Sequence, residues 1–118
     1  MIPQPDASPT LPQPVPTQVA TTPADSVYFT GQRLVTTGTC ALCHTIRGTD
    51  AHGQVAPDLT HIGSRLTIAA GTLPNTLGNM EAWITNAQSL KPGTMMPSLT
   101  QYSGRERIAM ATYLESLK

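Results

Sequence analysis

The stretch Cys40-Ala41-Leu42-Cys43-His44 constrains this chain more than any other. Two cysteines three apart, with a histidine directly after the second, suit four chemistries: a zinc site, a local disulfide, a redox dithiol, or a haem held through its edge and its iron. Each makes a different demand on the rest of the sequence.

Zinc requires two further ligands. The remaining histidines are His52 and His61, at spacings unlike zinc knuckles or ribbons. A thioredoxin-like dithiol belongs between a strand and a helix, and no βαβ pattern surrounds these cysteines. A local disulfide stays open. Thioether attachment of a haem needs two thiols about one helical turn apart, so that both reach the porphyrin vinyl groups while a neighbouring imidazole reaches the iron. Cys40, Cys43 and His44 meet that demand from a single turn, and haem is the favoured reading.

Organisation along the chain agrees with it. Seven of the eleven prolines fall within the first 23 residues of 118, a stretch with almost no charge and no apolar periodicity. Residues 1–22 therefore read as an extended, Pro-rich linker, and residues 23–118 as one domain. A domain of that size gains only modest stability from its core alone. Its aromatics are few (Tyr28, Phe29, Trp83, Tyr102 and Tyr113), so a porphyrin would supply buried apolar bulk that the sequence lacks.

Three main helices are expected, giving an all-α fold. Thr22-Pro23-Ala24-Asp25 combines a cap, a first-turn proline and an acid. Tyr28, Gly31, Leu34 and Val35 then share a face, and the helix should stop near Thr37-Gly38. Asn79 is read as the N-cap of a second helix in which Met80, Trp83, Ile84 and Ala87 recur at helical spacing. Ser103-Gly104-Arg105-Glu106 is a capping box opening the last helix, with Met110, Tyr113, Leu114 and Leu117 on one face. Between Gly48 and Pro74 a long loop is expected, with a short helical turn around Leu66 to Ala70; no segment reads as a strand. Loops this long inside a domain are usually functional.

Seven Lys plus Arg balance seven Asp plus Glu, which argues against a nucleic-acid partner. No run of 18 apolar residues would span a membrane, and the N-terminus lacks the basic and apolar regions of a signal peptide. A linker normally has a domain at each end, so a preceding domain or anchor, and a membrane-bound parent, are expected.

If His44 takes one side of an iron, Met96 is the candidate for the other. It stands 52 residues downstream in "KPGTMMP", where Pro92, Gly93 and Pro97 hold a loop able to present a thioether. The adjacent Met95 is the alternative ligand, and ordinary core filling by both methionines is the plain reading.

The order of first helix, CxxCH, "PDL" loop, Trp-bearing helix, "PGTxM" loop and closing "YLESLK" helix resembles class I cytochromes c across residues 24–118. More narrowly, "CHTIRGT", "APDLTHIGSR", "LPNT" and "KPGTMMP" resemble the cytochrome c domain at the C-terminus of subunit II of caa-type haem-copper oxidases. The resemblance implies one haem c, covalent through Cys40 and Cys43 and ligated by His44 and Met96. It also implies that the carbonyl of Pro57 accepts from His44, that Leu59 and Trp83 pack on the porphyrin, and that Arg65 and Asn75 bind its propionates. His61 would lie near a propionate and His52 at the surface. The family usually carries an aromatic where Val35 stands, so a looser contact between first and last helices is expected.

The activity so implied is one-electron transfer, with no catalysis by the domain itself. Its partners would be an electron donor, either a cytochrome or a quinol-oxidising complex, and a copper-containing acceptor domain in a terminal oxidase. The alternatives are a monohaem shuttle, a domain fused to another periplasmic reductase such as copper nitrite reductase, or a haem peroxidase-like or ligand-binding protein. Covalent haem implies an exported domain, periplasmic or on the outer face of a bacterial membrane, and a monomer when isolated.

Overall fold

Pro23 fixes its own φ and has no N–H to leave unpaired, which suits it to open a helix. In the computed structural model, which describes residues 23–118, helix α1 spans Pro23–Thr37. The expected cap Thr22 and the Pro-rich segment 1–22 lie outside the described residues. Two threonines end α1 by turning their hydroxyls back onto the helix: Thr36 Oγ1 donates to the Gln32 carbonyl at 2.7 Å and Thr37 Oγ1 to that of Arg33 at 2.5 Å. A one-turn helix, α2, follows at Cys40–Cys43.

The 48–74 region departs from the expected loop with a helical turn at Leu66 to Ala70. The short turn is a 3-10 helix at Ile62–Ser64, and strands β1, Thr67–Ile68, and β2, Leu73–Pro74, pair antiparallel with Thr67 opposite Pro74 and Ile68 opposite Leu73. Ala69 and Ala70 both have φ of 55° and Gly71 has φ of 86°. Three consecutive left-handed residues cannot continue a right-handed turn, so the chain reverses as a hairpin instead.

Helix α3 spans Leu77–Leu90 and begins two residues before the expected Asn79. Its cap is Thr76, whose Oγ1 accepts from the Asn79 N–H at 3.1 Å, while Asn79 Nδ2 donates to the Pro74 carbonyl at 2.9 Å. Both residues are good caps, and the hydroxyl three positions earlier took the role. Near its end α3 is kinked at Asn86, where φ is −132° and ψ is 40°.

Helix α4 spans Gly104–Glu115 and carries the expected capping box: Glu106 N–H donates to Ser103 Oγ at 3.1 Å and Ser103 N–H to Glu106 Oε1 at 2.8 Å. Its principal partner is α1. A β-carbon on Gly31 would stand 1.9 Å from the Ala109 carbonyl oxygen, so the two helices cross with backbone against backbone. Val35, Met110, Tyr113 and Leu114 are buried in this junction's neighbourhood. The contact expected to be loose is filled by a different ring: Tyr28, two turns before Val35, lies 5.6 Å from Tyr113 between centroids. Arg107 Nε approaches Glu81 Oε2 at 3.5 Å and so links α4 to α3.

Candidate cofactor site

Cys40 and Cys43 sit at the two ends of α2, a single turn that presents both thiols and hands the chain directly to His44. The backbone behind them is tightly used. The Cys43 carbonyl accepts from the N–H groups of Val55 and Ala56 at 3.1 and 2.9 Å, and Gly53 N–H donates to the His44 carbonyl at 3.0 Å. A β-carbon at Gly53 would fall 2.4 Å from the Cys43 carbonyl carbon, so only glycine lets the loop close beneath the motif.

His44 is oriented by one bond. Its Nδ1 lies 2.7 Å from the Pro57 carbonyl, which can only accept, so Nδ1 carries the proton. That tautomer leaves Nε2 with a lone pair to offer a metal, and the bond fixes the orientation of the ring.

Both cysteines and His44 line a cavity of about 800 Å³. Pro57, Leu59, Ile62, Arg65, Trp83 and Met96 line it too, with Ile68 and Ala69 of the hairpin and Met80 and Leu99. The volume falls within the ~300–1,000 Å³ usual for small-molecule and cofactor pockets. It is far more room than a zinc ion or a disulfide uses. Among the described residues no group of three His, Cys, Asp or Glu is placed to hold a metal ion. Burial pushes the Cys40 thiol up to about 11, with its own backbone contact and Cys43 as smaller influences. A thiol so reluctant to ionise makes a poor redox nucleophile, and in this apolar wall a neutral thioether would be well accommodated.

Not every expected residue reaches the cavity. Asn75 lies outside its lining, with Nδ2 donating to the carbonyls of Ile62 and Arg65, each at 2.9 Å. It thereby braces the backbone of Arg65, whose own guanidinium donates to the Asp58 carbonyl at 2.8 Å. His61 also stands away from the lining: Nδ1 bonds the Lys118 carbonyl at 3.1 Å and Nε2 meets Arg47 at 3.1 Å. His52 is exposed and pairs with Thr45 in an isolated bridge. Both methionines line the cavity, but Met95 is 89% exposed while Met96 packs on the buried core.

Met80, Ile62, Ile68 and Leu99 are cavity residues that the sequence reading placed in no site. Met80 was detectable, since it precedes Trp83 by three on one helix face. Ile68 was not, because its position depends on the left-handed alanines that follow.

Comparison with known proteins bears on the identity of this site. A profile of the Cytochrome c family matches residues 29–118. Over 96 residues the chain is 36% identical to cytochrome c oxidase subunit 2 of Alkalihalophilus pseudofirmus, covering 81% of this chain and 27% of that protein. Over 92 residues it is 32% identical to cytochrome c oxidase subunit 2 of Bacillus subtilis, covering 75% and 26%. The chain thus spans about a quarter of the length of these relatives. The crystal structure of the c-type cytochrome SorU from Sinorhizobium meliloti has a TM-score of 0.58 at 21% identity, covering 79% of this chain and 92% of that one, a likeness of fold.

Proposed function

The chain belongs to the cytochrome c family, and from that premise we propose that its cavity holds the haem through Cys40, Cys43, His44 and Met96 and delivers electrons to a copper-containing acceptor in a terminal oxidase. The domain is an electron carrier whose cofactor is covalently attached haem c. When bound, the haem supplies an iron that cycles between ferric and ferrous states.

The chain's own residues have five tasks in this reading. Cys40 and Cys43 anchor the porphyrin edge as thioethers. His44 offers Nε2 to the iron, held in the right tautomer by Pro57. Met96 offers its thioether sulfur, which favours the ferrous state and raises the potential relative to a second histidine. Leu59, Ile62, Ile68, Met80, Trp83 and Leu99 exclude water, lowering the local dielectric around the iron. Arg65 supplies a cation for the propionates, with Asn75 bracing its backbone.

The observation that carries the proposal is the meeting, in one cavity, of CxxCH with a Met96 from the loop that follows α3. Similarity to two oxidase subunits 2 supports the oxidase as destination. Among the described residues no helix is long and apolar enough to cross a membrane; kinship with the bacterial oxidase subunits supports a place in the periplasm or on the outer face of the membrane.

Carbon monoxide tests the ligand set. The reduced protein is expected to bind it slowly and incompletely at neutral pH, because His44 and Met96 would both hold the iron. Rapid, stoichiometric binding would show an open iron, as in a peroxidase-like or gas-binding protein, and would overturn Met96 ligation. The destination is tested separately, by electron transfer from the reduced domain to an isolated dinuclear-copper domain.

A further inference from the structure

The loop that carries Met96 has two adjacent methionines, both at the cavity wall, and something must decide which one presents its sulfur to the iron. Gln88 is placed to do so. Its Nε2 lies 2.6 Å from the carbonyl of Thr94 and 2.6 Å from that of Met96. Both partners can only accept, so the amide nitrogen faces the loop and spends each of its two hydrogens on a carbonyl, one on either side of Met95. Met95 is turned out to 89% exposure, and Met96 is left against the core.

The rest of the local backbone serves the same grip. The kink at Asn86 redirects the last turn of α3, the turn that bears Gln88. Gln88 N–H donates to Ser98 Oγ at 3.1 Å, and Leu99 N–H to the Ile84 carbonyl at 3.0 Å, so the exit of the loop is fixed as well. Pro97 restricts Met96 to extended backbone. A slip of the loop by one residue would break both hydrogen bonds from the Gln88 amide at once and bring Met95 toward the place of Met96.

We infer that Gln88 is a positioning residue that sets the register of the ligand loop and thereby selects Met96 over Met95 as the iron ligand. The inference rests on the Met96 reading above. Gln88 is itself exposed, so replacing it leaves the core intact.

The experiment uses the full, haem-loaded chain. In the proton spectrum of the reduced protein, the methyl of a bound methionine is strongly shifted by the porphyrin ring current. That signal should vanish in Met96→Leu and persist in Met95→Leu; the opposite pattern would overturn the Met96 reading itself. Given that reading, Gln88→Glu keeps the side-chain shape but loses both donors. It should speed imidazole uptake by the oxidised protein about tenfold, the scale set by losing two solvent-exposed hydrogen bonds. It should also introduce a second shifted methyl, removed by adding Met95→Leu. Gln88→Lys restores a donor and should return uptake to within about twofold of the parent. Unchanged uptake in Gln88→Glu, faster uptake with Met96 still the sole bound methionine, or no rescue by Gln88→Lys would each overturn the inference.

Discussion

The hydroxyl of Tyr102 lies 3.0 Å from Thr39 Oγ1 and 3.3 Å from the Thr39 N–H, joining the segment before α4 to the residue that opens the Cys40–Cys43 turn. Thr39 makes no side-chain cap to its own helix, so the tyrosine secures that end of the motif from outside. Tyr102→Phe keeps the ring and removes the hydroxyl. It is expected to destabilise the haem-loaded protein by about 1 kcal/mol, the net worth of one such bond. A urea midpoint lowered at unchanged slope would register the loss.

Gly31 and Gly78 give opposite expectations for the same substitution. Gly31→Ala drives a methyl into the Ala109 carbonyl and must part α1 from α4, at a cost of about 1–3 kcal/mol. Gly78 sits in the first turn of α3 with nothing near its absent side chain. Gly78→Ala should stabilise by about 0.5 kcal/mol, by restricting the unfolded chain. Thermal midpoints of the two variants should therefore move in opposite directions.

Burial raises the carboxyl of Glu115 above its usual range, with Lys118 opposing, and its Oε2 has no partner. A carboxyl raised in the folded state favours folding most below its unfolded value, and that advantage is lost as pH rises through the folded value. Near neutrality the ionised form is thus a liability. Glu115→Gln should raise stability at pH 7 by a small amount, under ~1 kcal/mol because water screens the exposed part of the side chain. The difference should close as pH approaches the carboxylate range. Asp58 runs the other way: Thr60 hydrogen bonds hold it low, so its contribution is present at neutral pH and lost in acid.

Legibility followed the range of the interactions. The capping box at Ser103 and the α3 face of Met80, Trp83, Ile84 and Ala87 depend on neighbours within a turn or two, and residue types display them directly. The motif at Cys40 to His44 is equally local. The hairpin at 67–74 depends on alanines held at φ of 55°, which no propensity favours, so the sequence suggested a helical turn there. Asn79 and Thr76 are both sound caps, and only the bond to Pro74 shows why the earlier one serves. Gln88 escaped notice because a polar residue near a helix end looks like a solvated surface. Its importance lies in a loop six to eight residues away.

Met96→His tests the ligand identity through the potential. Imidazole is a better donor to ferric iron than a thioether, so the variant should keep its covalent haem and show a clearly lower reduction potential. Met95→Leu, at a side chain that is mostly in solvent, should leave the potential where it was. Spectroelectrochemical titration of the three proteins reads this directly, and an unshifted potential in Met96→His would remove Met96 from the iron.

Electron delivery to the acceptor should depend only weakly on salt. Positive and negative side chains balance at seven each, and Leu42, Val55 and Met95, at 74%, 74% and 89% exposure, stand among the residues lining the cavity. A surface of that kind would meet its partner through apolar contact, with little long-range steering for ions to screen. Raising ionic strength from about 0.01 to 0.15 M, across which the screening length falls from roughly 30 to 8 Å, should change the bimolecular rate by less than about threefold. Leu42→Lys adds a charge at that face and should create a salt dependence that the parent lacks. Stopped-flow reduction of the acceptor over that range measures both, and a steep fall in the parent's rate would mean that charge, rather than apolar contact, guides the encounter.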